Sequence, residues 1–208
     1  MTLPTTFRKE GERTIASYNF IEIATGAGIM TLYAGWTVDT KTLLSNQFAS
    51  NEIMSAASMG VSANAIRLDH DYDILITKPL TIEGKMIITA GIGVSRSGSS
   101  NSGYFIFKFR KWDGSSETDI AENQSSTHNN NSASGYTYST FATDITIPRT
   151  HFKIGETLRL TIELWGAGGA SPSYVAYGHD PQNRTTGWDT TGVNPSRLTA
   201  FIPVRIQL

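Results

Sequence analysis

The sequence predicts an all-β fold, an antiparallel two-sheet sandwich of the jelly-roll type, on three observations. Residues 158–165 alternate strictly, with Leu158, Leu160, Ile162 and Leu164 on one side of an extended backbone and Arg159, Thr161, Glu163 and Trp165 on the other. A strand with one buried and one wet face requires that period of two. The same grammar recurs along most of the chain, punctuated by Gly, Ser, Asn and Asp clusters. No long helical periodicity and no internal repeat competes with it, and about eight to ten short strands fit a sandwich.

Residues 1–14 read as an extended polar arm, and residues 15–208 as a single domain. Sandwiches of this length commonly form one unit. Residues 14–23 give the first alternating run, residues 25–28 a Gly-containing turn, and residues 29–38 a second strand. Residues 42–48 predict a third strand. The Ser-, Ala- and Asn-rich residues 49–65 predict a loop, with a short helix as the alternative. Strands follow at 73–77 and 85–94, where Gly91 and Gly93 signal a bend or the close approach of another backbone.

Residues 104–112 alternate strongly and bury Phe105, Phe107 and Phe109 together. Asp113 and Gly114 mark a hairpin, and residues 117–121 pair back. The low-complexity polar stretch 122–135 predicts the most exposed loop. Strands at 137–147 and 156–165 precede a long loop, 166–191, and residues 197–208 close the chain. Pro203 in that last run marks an edge strand or a bulge, because it cannot donate to a ladder.

Composition excludes several functions. Lys and Arg number 17 against 18 Asp and Glu, a net charge of −1, so no long-range field draws the chain to nucleic acid or an anionic membrane. The absence of cysteine removes disulfides, thiolate metal sites and cysteine nucleophiles. The N-terminal residues lack a signal-peptide core, and no run approaches the ~18 apolar residues of a spanning helix. The expectation is a protein made in cytoplasm, with no cofactor.

Chemistry has few candidates. Asp69, Asp71 and Asp73 could offer oxygens to a hard cation such as calcium. Ile74 and Leu80 stand where an EF-hand loop needs Gly and Glu, so these residues read first as the polar lead-in to a strand. His179 and Asp180 could be half of a dyad, but Asp180 before Pro181 is a turn starter whose carboxylate bonds backbone amides. Glu163 with Asp144 or Glu156 could serve glycoside cleavage only if two carboxylates faced each other across a cleft. Trp36, Trp112, Trp165 and Trp188 could stack on sugars or fill seams between subunits.

The order of these motifs resembles a known group. It comprises the Ile15–Tyr18 run with the Thr25–Tyr33 turn, Asp71–Asp73 leading to Pro79–Gly84, Ile147–Leu160, Gly178–Arg184, and Leu198–Ile206. Together these resemble the jelly-roll virion structural proteins of tailed, marine-type bacteriophages. The resemblance implies a non-enzymatic capsid decoration, or cement, protein located on the virion. Its partners would be the major capsid protein and copies of itself, a trimer being favoured. Contacts are expected from Thr2, Leu3 and Phe7 of the arm, from Trp165 and Trp188, and from Phe201 and Arg205 of the last strand. The alternatives are a glycan- or receptor-binding module of a phage fibre, with Trp36, Trp112 or Trp188 in its groove, a coat subunit, or a hydrolase of sandwich fold.

Overall fold

The computed structural model describes residues 26–205, apart from 38–39, 49, 61, 98–99, 133, 169–172, 186–187 and 190. The expected arm, the 14–23 strand and the candidates Thr2, Leu3 and Phe7 lie outside the described residues. What is described is all-β. Twelve strands run in order as β1 (Ala27–Thr37), β2 (Thr40–Leu44), β3 (Met54–Ser58), β4 (Ser62–Leu75), β5 (Leu80–Ser97), β6 (Asn101–Trp112), β7 (Glu117–Gln124), β8 (His128–Asn130), β9 (Ser134–Phe152), β10 (Thr157–Gly168), β11 (Tyr174–Gly178) and β12 (Thr199–Arg205).

Hydrogen bonding links them in the path β3-β11-β5-β12-β1-β2-β4-β10-β6-β7, with β9 on β5 and β8 on β6. β5 gives one edge to β11 and β12 in succession and the other to β9 along its whole length. The neighbours are antiparallel except β2 and β4, which meet in parallel at Thr42 and Asp73. There the Thr42 hydroxyl donates to the Asp73 carbonyl at 3.0 Å. The arrangement is therefore mixed rather than wholly antiparallel.

Alternation decides the faces. Leu158, Leu160, Ile162 and Leu164 of β10 are buried with Phe105, Phe107 and Phe109 of β6, and they join Ile88, Ala90, Ile92 and Val94 of β5 in one apolar cluster. Rings bridge strands that share no hydrogen bonds: Phe105 meets Phe141 of β9 and Tyr177 of β11, with centroids 6.3 and 5.9 Å apart. Each such fully buried ring or aliphatic chain contributes roughly 1.5–3 kcal/mol.

Three expectations are corrected and one alternative is decided. Residues 49–65 hold β3 and the start of β4, because β11 offers a free edge whose hydrogen bonds order a Ser/Ala segment of weak strand propensity. The long 166–191 segment likewise contains the end of β10 and all of β11. The 122–135 stretch is not simply an exposed loop: Asn130 is buried in β8, donating to the carbonyls of Val94 and Gly135 at 2.7 and 2.8 Å. For Pro203 the bulge alternative holds rather than the edge: it sits at an irregularity between Phe201 and Val204, in a strand paired on both sides.

The segment following β11 lies flat on the outer face of β5 and β11, and two glycines allow it. A Cβ at Gly91 would fall 2.4 Å from the Pro195 carbonyl oxygen, and one at Gly178 would fall 2.4 Å from that of Ser196. Asp180 and Asp189 fasten the segment. The Asp180 carboxylate accepts from the amides of Gln182 and Arg184 and from the Arg184 side chain. The Asp189 carboxylate accepts from the amides and side chains of Thr191 and Asn194.

Candidate functional site

The outer face of β4, β10, β6 and β7 collects most of the charged candidates. Spaced by two, Asp69, Asp71 and Asp73 share this face and stand opposite Glu163, Thr161 and Arg159 of β10. The Arg159 guanidinium forks onto Asp73 with two bonds of 2.8 Å and reaches Glu117 at 2.7 Å and Asp71 at 3.3 Å. These acceptors hold its ionised form firmly, so Arg159 titrates above its already high ordinary value. The Thr161 hydroxyl donates to Asp71 at 2.5 Å. Arg110 continues the lattice to Glu117 and Asp119 at 2.8 and 2.7 Å.

The three aspartates do not gather around a cation. Alternate residues of a strand lie nearly 7 Å apart, so side chains along 69, 71 and 73 spread over roughly 13 Å. No group of three or more His, Asp or Glu side chains among the described residues could hold a metal ion. Burial raises the Asp69 carboxyl above its ordinary value, and Asp71 and Glu163 add to the rise. Glu163 is 6% exposed despite its place on the wet face. Burial raises its carboxyl as well, but the Lys108 ammonium and the Trp165 indole outweigh that and hold it low. Trp165 Nε1 donates to Glu163 at 3.0 Å, and its ring stacks on Tyr104 with centroids 5.9 Å apart.

The proposed glycosidase partners do not meet. Asp144 pairs with Lys85 at 3.0 Å on β9 and β5, while Glu156 sits in the turn before β10 and accepts from the Lys153 amide. His179 and Asp180 also part company. Asp180 staples its turn, and His179 points inward to Ser55, with Nε2 and Oγ 2.9 Å apart. Ser55 lies 124 residues away and was not legible in the sequence.

The Ser55–His179 pair belongs to a buried polar cluster. The Tyr177 hydroxyl sits 2.6 Å from His70 Nδ1 and 2.8 Å from the Tyr72 hydroxyl. Tyr72, Tyr177 and His179 are each 0% exposed. Burial, reinforced by the Lys41 charge, lowers the His70 imidazole to about 4. Burial lowers His179 to about 4 as well and pushes both tyrosine phenols up. The cluster is therefore neutral, and it joins β3, β4 and β11 from within. His179 Nδ1 has no hydrogen-bond partner among the described residues.

The tryptophans scatter. Trp36 packs against His70 and His179 with Lys41 over its ring at 4.0 Å, and Trp112 lies near the Arg159 guanidinium. Trp188 is 2% exposed, which corrects its assignment to a contact surface. Gly91 leaves room for the indole, whose ring would lie 3.3 Å from a Cβ there. Trp36, Trp112 and Trp188 make their ring contacts with different partners, Trp188 with Tyr138.

Phe201 and Arg205 face outward from β12. Arg205 pairs with Glu83 at 3.0 Å. Phe201 is half-buried and pairs across to Thr31 of β1 and Ile87 of β5, while Pro203 pairs with Ile29. Ile29 is 64% and Ile87 42% exposed, so these residues form an apolar strip across three neighbouring strands.

No protein-family model and no curated protein matches the chain. A crystal structure of a CocE/NonD family hydrolase from Staphylococcus aureus is similar with a TM-score of 0.56 at 11% identity, covering 86% of this chain and 37% of that one. A second structure of such a hydrolase from the same organism gives 0.49 at 14% identity, covering 86% of this chain and 36% of that one. An α-amino acid ester hydrolase gives 0.44 at 11%, covering 85% and 35%. The chain thus spans little more than a third of the length of these hydrolases. The first likeness shows a shared fold alone, and the weaker two carry no argument.

Proposed function

We propose that this chain is a non-enzymatic virion structural protein, a two-sheet jelly roll that decorates an outer capsid lattice and braces it. One contrast carries the reading. The groups able to do chemistry are engaged internally, in the neutral Ser55–His179–Tyr177 cluster and in the Arg159 lattice. The strip of Ile29, Phe201 and Ile87 is covered by no described residue. Adhesion needs such a surface and no cleft. A stable contact removes ~1,600 Å² from water, with an apolar centre and a polar rim. The strip supplies the centre, and the Arg205–Glu83 pair supplies part of the rim.

On this reading the partner is the major capsid protein, the subunit is a homo-trimer, and many copies multiply a modest gain per contact. The test is reconstitution on capsids stripped of the protein, with bound copies counted by co-sedimentation. The Ile29→Asp/Ile87→Asp variant should fold as the wild type and occupy capsids at least about tenfold less well, since a tenfold loss takes only about 1.4 kcal/mol. Unchanged occupancy, or a wild type that does not bind capsids at all, would reject the proposal.

A further inference from the structure

β9 and β11 place three tyrosines on one outer face. Tyr136 and Tyr138 are two apart on β9, opposite Ser95 and Gly93 of β5. Tyr174 opens β11, two residues before Ala176, which also pairs with Gly93. The Tyr136 and Tyr138 rings lie within 18° of parallel, with centroids 5.8 Å apart. Tyr136 and Tyr174 are 41% and 40% exposed, a large share for rings lying on a sheet face.

Their position is held from below and from one end. A Cβ at Gly93 would lie 2.8 Å from Tyr138 Cε1, so only glycine lets that ring settle on the sheet. The buried Trp188 meets Tyr138 edge-on at 5.3 Å. The Ser95 hydroxyl accepts from the Tyr174 amide at 2.6 Å and hydrogen-bonds the Tyr136 phenol. Rings fixed before a ligand arrives lose little freedom on binding, and tyrosine offers a flat face with a polar tip.

We propose that Tyr136, Tyr138 and Tyr174 form a binding shelf for a neutral saccharide. Pyranose C–H faces stack on aromatic rings, and sugar hydroxyls exchange hydrogen bonds with phenols. Partial burial raises the Tyr136 and Tyr138 phenols above their ordinary value, so both keep the proton needed to donate. The charge pattern selects among ligands that stack. Among the described residues, the cations that stand over rings do so at Trp36, Phe152, Trp112 and Tyr33, none of them on the shelf. The nearby Asp189 carboxylate is occupied by Thr191 and Asn194. A single-stranded nucleic acid would need a basic groove beside the rings; a neutral sugar does not.

The proposal is independent of the particle role, and its test uses the full chain without capsids. Binding is measured to a panel of neutral and acidic oligosaccharides, with oligothymidine as the counter-probe, followed by calorimetric titration of the best binder. A neutral oligosaccharide should bind. Tyr136→Ala and Tyr138→Ala should each weaken it roughly tenfold or more, and Trp165→Ala, on another face, should leave it unchanged. Gly93→Ala, which tips the Tyr138 ring without removing a phenol, should weaken it as well and decides the matter if Tyr138→Ala fails to fold. No bound oligosaccharide, equal affinity in the tyrosine variants, or preference for oligothymidine would overturn the assignment.

Discussion

Acid should unfold this protein earlier than its carboxylates alone require, and the buried imidazoles set the window. His70 and His179 both titrate near 4 in the fold, against 6.5 when unfolded. Below pH 6.5 the unfolded chain therefore binds more protons than the folded one. Their stabilisation is complete above pH 6.5 and disappears as pH falls towards 4. Each pH unit of that depression is worth about 1.4 kcal/mol, so protonating His179, which is fully buried, costs the fold about 3 kcal/mol. His70 is partly exposed and adds less, because solvent screens it. Glu163 and Asp189 have unfolded values of 4.5 and 3.8, so their losses begin lower. Urea unfolding at about pH 7, 6 and 5 isolates the imidazoles. The wild type should lose up to about 1.4 kcal/mol per unit for each histidine, and His179→Gln should show a visibly shallower fall. Equal slopes in the two proteins across that window would refute the reasoning.

Two further outcomes follow from packing and charge. Gly178→Ala drives a methyl to 2.4 Å from the Ser196 carbonyl oxygen and 2.5 Å from its Cα, both backbone. It should cost about 1–3 kcal/mol or more, seen as a lowered melting temperature, and limited proteolysis should then cut the 179–198 segment first. Arg159→Ala strands Asp71, Asp73 and Glu117, whose side chains are 39%, 35% and 26% exposed. The loss should be roughly 1 kcal/mol in urea unfolding and should shrink in about 1 M salt. Arg159→Lys should recover only part of it, since an ammonium cannot fork onto Asp73.

The legible parts of this fold are those where one face is greasy and the other is not. Phe105, Phe107 and Phe109, and the Leu/Ile file of β10, announce both the strand and its buried side, and the structure places all of them in the core. β3 and β8 carry mostly small or polar residues, and their strand state comes from a neighbour's edge rather than from their own side chains. A local pattern cannot register that contribution. The same limit hid the chemistry. Asp180 was readable as a turn staple because its partners lie within four residues. Ser55 and His179, or Tyr72 and Tyr177, meet across 124 and 105 residues. Trp188 was read as a contact residue because its enclosure depends on Gly91 in a distant strand. Glu163 follows the alternation yet is nearly covered, because Lys108 and Trp165 close over it.

β1 lies between β2 and β12, with Ala27 opposite Arg205 and Tyr33 opposite Thr199. One whole flank of β1 therefore stays bare until Thr199–Arg205 has been translated. At about 5–20 residues per second, the ribosome needs roughly 10–35 s to supply the missing flank. Throughout that delay Leu32 and Ala34 have no finished interior to enter. Topologies closed by such distant partners fold slowly, so a growing chain of this kind is most exposed to wrong pairing during its own synthesis.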